Sequence, residues 1–227
     1  MTPTPPKSNN AVLILGGFII IGIGVMIAFA LVTNTNNSDD VTPLEPQLCN
    51  DIDLAIDDTG ILDINPRCVL EDFTFTATTG EDFSRSNLEG ELALVYFGYI
   101  NCPDFCPPTM LDFQSIQELL GDDAEQVNFV FVTVDPERDT VEALDAYMNR
   151  FNESFIGLVG NDAELTRIAS DYDLTYEAQP ESAPGIYTVD HTVSRYLIDS
   201  NGQLIRRFSF ALSPGSIANE IEAVLAG

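Results

Sequence analysis

An apolar run that stops at a glycine and passes, through two cysteines, into a helical pattern constrains this chain more than any other stretch. Leu92 to Phe97 is continuous and apolar, and reads as a buried strand. Gly98 ends it, and Tyr99-Ile100-Asn101-Cys102-Pro103-Asp104-Phe105-Cys106-Pro107-Pro108 follows. From Thr109 to Leu120 the apolar residues Met110, Leu111, Phe113, Ile116, Leu119 and Leu120 recur at helical spacing. That spacing predicts a helix with one buried face. Both thiols therefore fall where a strand hands over to a helix N-terminus.

The place has chemical consequences. Unpaired backbone N–H groups at a helix start favour negative charge. A thiolate gains there, and the thiolate is both the nucleophile and the metal ligand. Pro107 or Pro108 fits the first helical turn, where a missing N–H costs little. With three residues between the cysteines, the first turn of helix brings both sulfurs to one side. They can close a Cys102–Cys106 disulfide or hold one soft metal ion.

Composition narrows the partners and the compartment. A formal net charge of -27 argues against nucleic acid, which calls for a basic face, and against adhesion to an anionic membrane surface. Residues 11–32 carry no charged side chain, a stretch longer than the roughly 20 residues that span a bilayer. Lys7 precedes it, and Asp39 and Asp40 follow. The positive-inside tendency then places residues 1–10 in the cytoplasm as a tail and the acidic bulk outside the cell membrane, single-pass. The rival reading is a cleaved signal peptide ending at Ala28-Phe29-Ala30. Either way the domain is exported, where thiols can be oxidised.

Residues 33–72 read as a linker and N-terminal extension, with Pro43 and Pro46 in its polar part. Cys49 and Cys68 bracket an apolar-rich segment, and their simplest fate in an oxidising compartment is a structural disulfide. Residues 73–227 read as one domain. Phe73 to Thr78 alternates as a half-buried strand, and Val127 to Val134 is a second buried strand. Asp135-Pro136-Glu137-Arg138-Asp139-Thr140 reads as a loop and helix-start device, with Arg138 paired to a carboxylate. Helices follow over 141–151 and 163–172, with a short strand over 155–159 between them. Residues 186–189 and 194–198 read as paired strands. Asn201-Gly202 signals a hairpin whose return strand is 204–210, and 217–225 closes the chain as a helix. Met110 and Met148 read as packing residues. The plan is mixed α/β, and a cysteine pair at the end of the first long strand makes it thioredoxin-like.

His191 is the single histidine. It completes a Cys2His donor set, which suits Cu(I) and leaves room for Cu(II). Zn(II) accepts such donors too, although a closed structural zinc site usually has four protein ligands. Asp190 either accepts the ring's second N–H or is a solvated acid.

These residues together resemble the Sco (SCO1/SenC) family. The matching stretches are Tyr96-Phe97-Gly98-Tyr99 with Cys102-Pro103-Asp104-Phe105-Cys106-Pro107, then Val134-Asp135-Pro136-Glu137-Arg138-Asp139-Thr140, Phe155-Ile156-Gly157-Leu158 and Tyr187-Thr188-Val189-Asp190-His191-Thr192. Tyr196-Leu197-Ile198-Asp199 and Gly202 follow in order. The resemblance implies a thioredoxin-like fold on one N-terminal transmembrane helix, with copper bound by Cys102, Cys106 and His191. It implies help in building the binuclear copper centre of cytochrome c oxidase subunit II, with another copper chaperone as donor. Cys49 and Cys68 lie outside the family's metal motif.

Three functional readings follow. In the first, the protein is a metallochaperone rather than an enzyme. In the second, it is an extracytoplasmic thiol–disulfide reductase acting on that subunit's cysteines, with Cys102 attacking and Cys106 resolving. A C-x3-C spacing, in place of the C-x2-C usual in thioredoxin-like proteins, weighs against a general oxidoreductase. The third, a peroxidase-like enzyme on the same fold, needs one thiolate poised towards peroxide, and no residue in the sequence marks one.

Overall fold

A computed structural model describes residues 47–51 and 53–227. The membrane-spanning stretch expected over 11–32 lies outside the described residues, among which no helix is long and apolar enough to cross a membrane.

The described chain runs through β1 (Ile61–Val69), β2 (Thr74–Ala77), β3 (Asp82–Ser84) and β4 (Leu92–Gly98) into α1 (Cys106–Leu120). Next come β5 (Val127–Thr133), α2 (Val141–Met148), β6 (Ile156–Val159) and α3 (Asp162–Ala169). The last part is β7 (Tyr176–Ala178), β8 (Val189–His191), β9 (Arg195–Ile198), β10 (Gln203–Phe208) and α4 (Pro214–Leu225). Eight strands form one sheet in the order β1-β10-β9-β4-β5-β6-β2-β3, and β7 and β8 form a separate pair. β4, β5 and β6 are parallel, and β9 runs antiparallel to β4.

β4 is buried at every position because it is central and covered on both sides, which is why it reads as one unbroken apolar run. Phe129 and Phe131 share one face of β5, since side chains alternate along a strand. Phe113 of α1 packs edge-on to Phe129 at 5.5 Å between ring centroids, and Tyr147 of α2 meets Phe131 at 5.9 Å. Both helices therefore cover that face. Phe97, pointing the other way from β4, meets Tyr172 in the turn after α3 at 4.8 Å.

One buried cation fixes α1 against the sheet. Arg195 on β9 is fully buried, and its guanidinium donates to Asp112 of α1 at 2.7 Å. It also donates to the carbonyls of Ser209, Phe210 and Leu212, in the stretch leading to α4. A buried charge held in this way is destabilising to unpair.

The helix starts at Cys106 with its prolines in the first turn, as expected for Pro107 or Pro108. Several other expectations are corrected. Leu111 and Leu119 are 55% and 56% exposed, so the buried face of α1 is Met110, Phe113, Ile116 and Leu120. Residues 186–189 and 194–198 do not pair: β8 pairs with β7, and β9 lies between β10 and β4. Asp139 does not start a helix. Thr140 is the N-cap of α2, accepting the Ala143 N–H, while Asp139 is buried beneath the cysteine loop. The extension before residue 73 contributes β1, an edge strand paired to β10.

Candidate metal centre

Three features of β4 and α1 build the thiol site. The strand delivers Gly98 at its end, the loop turns back with the Cys102 N–H donating to the Tyr99 carbonyl at 3.3 Å, and Cys106 opens the helix. Gly98 is required by proximity: a Cβ there would lie 2.8 Å from Cys106 Sγ and 2.9 Å from the Tyr96 ring. Both cysteines are unbonded thiols here, with Cys106 fully buried and Cys102 nearly so.

His191 arrives from the separate β7–β8 pair. Its Nε2 lies 3.6 Å from Cys106 Sγ, and its ring packs against the edges of Tyr96 and Tyr99, with centroids 6.0 and 5.8 Å away. Its Nδ1 lies 3.0 Å from the Thr192 carbonyl oxygen. A carbonyl can only accept, so Nδ1 carries a proton, and in the neutral imidazole Nε2 is then the nitrogen with a lone pair for a metal ion. Asp190 takes no part in this: its carboxylate accepts from Gln179 Nε2 at 3.0 Å and faces solvent.

The two thiols are electrically unlike. The Cys106 thiol donates to Cys102 sulfur and holds the Cys102 pKa well below the usual thiol range, overcoming the opposing cost of burial. The backbone N–H of Cys106, 3.4 Å from Cys102 Sγ, adds to this, as a helix start should. Burial pushes the Cys106 thiol far up, and the neighbouring Cys102 thiolate pushes it further. Burial likewise raises the Tyr96 hydroxyl, so it stays protonated and donates to Cys106 Sγ at 3.6 Å. Sequence reasoning assigned Tyr96 and Tyr99 no role. The signal available was two tyrosines straddling the glycine at the strand end.

The two sulfurs and a His191 ring nitrogen all lie within 4.8 Å of one another. This is the one cluster of three or more Cys, His, Asp or Glu placed to hold a metal ion among the described residues. Two soft sulfurs and a neutral imidazole in a buried pocket, with no carboxylate among them, fit Cu(I). A cleft of about 270 Å³, walled by Pro103, Phe105 and Thr188, opens onto Cys102 and His191. A larger depression of about 640 Å³ beside α3 contains neither thiol nor imidazole. Cys49 and Cys68 stand apart from the site, bonded to each other between the Cys49–Asp51 turn and β1.

Fold and site together define a thioredoxin-like protein with a buried dithiol–imidazole cluster at the strand-to-helix junction. The SCO1/SenC family model matches residues 64–226. A SCO2-like protein of Rickettsia conorii is 35% identical over 144 residues, which is 63% of this chain and 70% of that protein. The solved structure of Bradyrhizobium japonicum ScoI with copper bound has a TM-score of 0.63 and 31% identity, covering 69% of this chain and 99% of that one. Yeast Sco1 with copper bound has a TM-score of 0.65 and 27% identity, covering 70% of this chain and 89% of that one. The chain belongs to the SCO1/SenC family.

Proposed function

We propose that this protein is a copper chaperone whose cargo is Cu(I), held by the thiolates of Cys102 and Cys106 and by Nε2 of His191. The observation that carries the reading is the convergence of those three donors, two from the loop and helix after β4 and one from β8, to within 4.8 Å. A three-donor site binds a soft ion without closing its coordination shell. An acceptor thiolate can enter through the adjoining cleft and take the ion by ligand exchange. On this reading the acceptor is the binuclear copper centre of cytochrome c oxidase subunit II, with another copper chaperone as donor; family membership supports it. The Cys49–Cys68 bond supports an oxidising, extracytoplasmic setting for the domain. Residues 11–32 anchor it to the cell membrane on this reading, with 1–10 inside and 33–72 as linker and extension.

The polarity of the thiols favours a second activity at the same site. A Cys102 thiolate attacks a disulfide in the acceptor, forming a mixed disulfide and releasing one acceptor thiolate. Cys106 then gives up its proton and attacks Cys102 sulfur. That releases the second acceptor thiol and leaves a Cys102–Cys106 disulfide, so two electrons pass to the acceptor.

One pair of mixing experiments separates the two. Cu(I)-loaded soluble protein is mixed with the reduced copper domain of subunit II, and the copper in each is measured after separation. Metal-free reduced protein is mixed with the oxidised acceptor, and acceptor thiols are counted. Copper movement supports the chaperone. Thiol transfer alone makes the protein a reductase, and neither contradicts both readings.

A further inference from the structure

We propose that Asp135, Arg138 and Tyr187 form a clamp that positions His191 against the two thiols. The inference rests on the copper-binding reading for its consequence, but not for its geometry.

The problem the clamp solves is topological. Cys102 and Cys106 belong to the main sheet through β4 and α1, whereas His191 belongs to the β7–β8 pair, which shares no ladder with that sheet. On its C-terminal side the chain rejoins that sheet at Arg195, paired with Tyr96, four residues after His191. On its N-terminal side no ladder of the main sheet holds it, so backbone pairing restrains the imidazole from one side alone. One short segment, leaving β5 beside the end of β4, touches both sides. The Val134 N–H donates to the Gly98 carbonyl at 2.8 Å. The buried Asp139 carboxylate accepts from the Ile100 N–H at 3.0 Å and from the Thr133 hydroxyl at 2.6 Å. Ile100 lies two positions before Cys102, so Asp139 ties down the cysteine loop.

The other side of the segment holds the histidine's loop. Arg138 is ion-paired with Asp135, and its Nε donates to that carboxylate at 2.6 Å. The same guanidinium donates to the Tyr187 carbonyl at 2.9 Å and lies 3.4 Å above the centre of the Tyr187 ring. The Tyr187 hydroxyl in turn donates to Asp135 at 2.8 Å. Tyr187 is thus gripped at its ring face, its carbonyl and its hydroxyl. Four residues later the chain reaches His191. A planar, bidentate, stacking cation does this where a lysine cannot. None of the three residues reaches the metal donors directly, so they act as positioning residues through His191.

The single histidine gives a direct readout. In the metal-free protein, the imidazole resonances of His191 report the order of that ring alone. Arg138→Gln and the milder Tyr187→Phe are compared with wild type, with thermal unfolding recorded for each. We expect Arg138→Gln to broaden or double the His191 signals, and Tyr187→Phe to do so less. The second arm is Cu(I) affinity by competition with a chromophoric chelator. Arg138→Gln should weaken binding by up to about 10-fold, the low end for direct partners of a metal ligand, because it acts on His191 through Tyr187. In a His191→Ala background it should weaken binding no further. Unchanged His191 resonances overturn the clamp even if copper binds. An Arg138→Gln loss of equal size with and without His191 overturns it too, because it then acts through general stability. A wild type that holds no copper overturns the functional reading, while the resonances still decide the clamp.

Discussion

His191 Nε2 and Cys106 Sγ stand 3.6 Å apart across 85 residues of chain. The Thr192 carbonyl holds a ring proton on Nδ1, so in the neutral imidazole the nitrogen facing the sulfurs is the one that can ligate. His191→Ala should therefore weaken Cu(I) binding while leaving dithiol–disulfide exchange by Cys102 and Cys106 intact. Chelator competition and the rate of reduction of a model disulfide check the two halves. Loss of neither contradicts a ligand role for His191.

The polarity of the thiol pair predicts which one reacts. Cys102 is the thiolate and lines the cleft, whereas Cys106 is buried and protonated. Iodoacetamide should modify Cys102 first in the reduced, metal-free protein, read by mass spectrometry of the digest. The rate should be nearly flat through mildly acidic and neutral pH, whereas a free thiol with a pKa of about 8.5 gains tenfold per unit. Stability follows with a definite sign. Between the depressed Cys102 pKa and the ordinary thiol value, the unfolded chain binds the extra proton, so stability rises with pH. Above the ordinary thiol value the raised Cys106 pKa reverses the trend, because the unfolded thiol ionises and the buried one does not. Denaturant midpoints across pH, compared with Cys102→Ser, test both slopes.

Gly98 is the narrowest point of the site. An added methyl meets Cys106 Sγ, the Tyr96 ring and the Phe131 ring, all at 3.0 Å or less. Gly98→Ala should destabilise the fold by about 1–3 kcal/mol, as overpacking does. It should also displace Cys106 enough to weaken Cu(I) binding. Chemical denaturation and chelator competition measure the two effects, and a variant indistinguishable from wild type in both refutes the steric account.

The Cys49–Cys68 bond lies on the far side of β10 and β9 from the site strand β4. Its removal as Cys49→Ala/Cys68→Ala should lower unfolding free energy by roughly 2–4 kcal/mol. Copper stoichiometry should not change. A loss of copper in this variant contradicts the separation of the structural pair from the metal pair.

What was legible in the sequence was local. The thiol site lies in one continuous strand–loop–helix passage, so the run from Leu92 to Leu120 carries its own signal. Even there Leu111 and Leu119 misled, because an apolar residue on the solvent side of a helix obeys no periodicity. The setting of His191 was not legible. Its partner strand β7 is three residues long and mostly exposed, and leaves no alternating pattern to detect. Arg138 was expected to pair with a carboxylate and does. That it also grips Tyr187 depends on residues 49 positions apart meeting in space, which no local pattern records.

The most direct test of the central claim is copper stoichiometry on the reduced soluble domain, from about Ser38 onward where the chain is polar and linker-like. The protein is loaded with Cu(I), desalted, and compared with Cys102→Ser/Cys106→Ser and with His191→Ala. A copper chaperone retains one ion per chain, loses it without the thiols and holds it less tightly without the imidazole. A wild-type domain that retains no copper while its thiols still exchange with disulfides contradicts the account and leaves a reductase on the same fold.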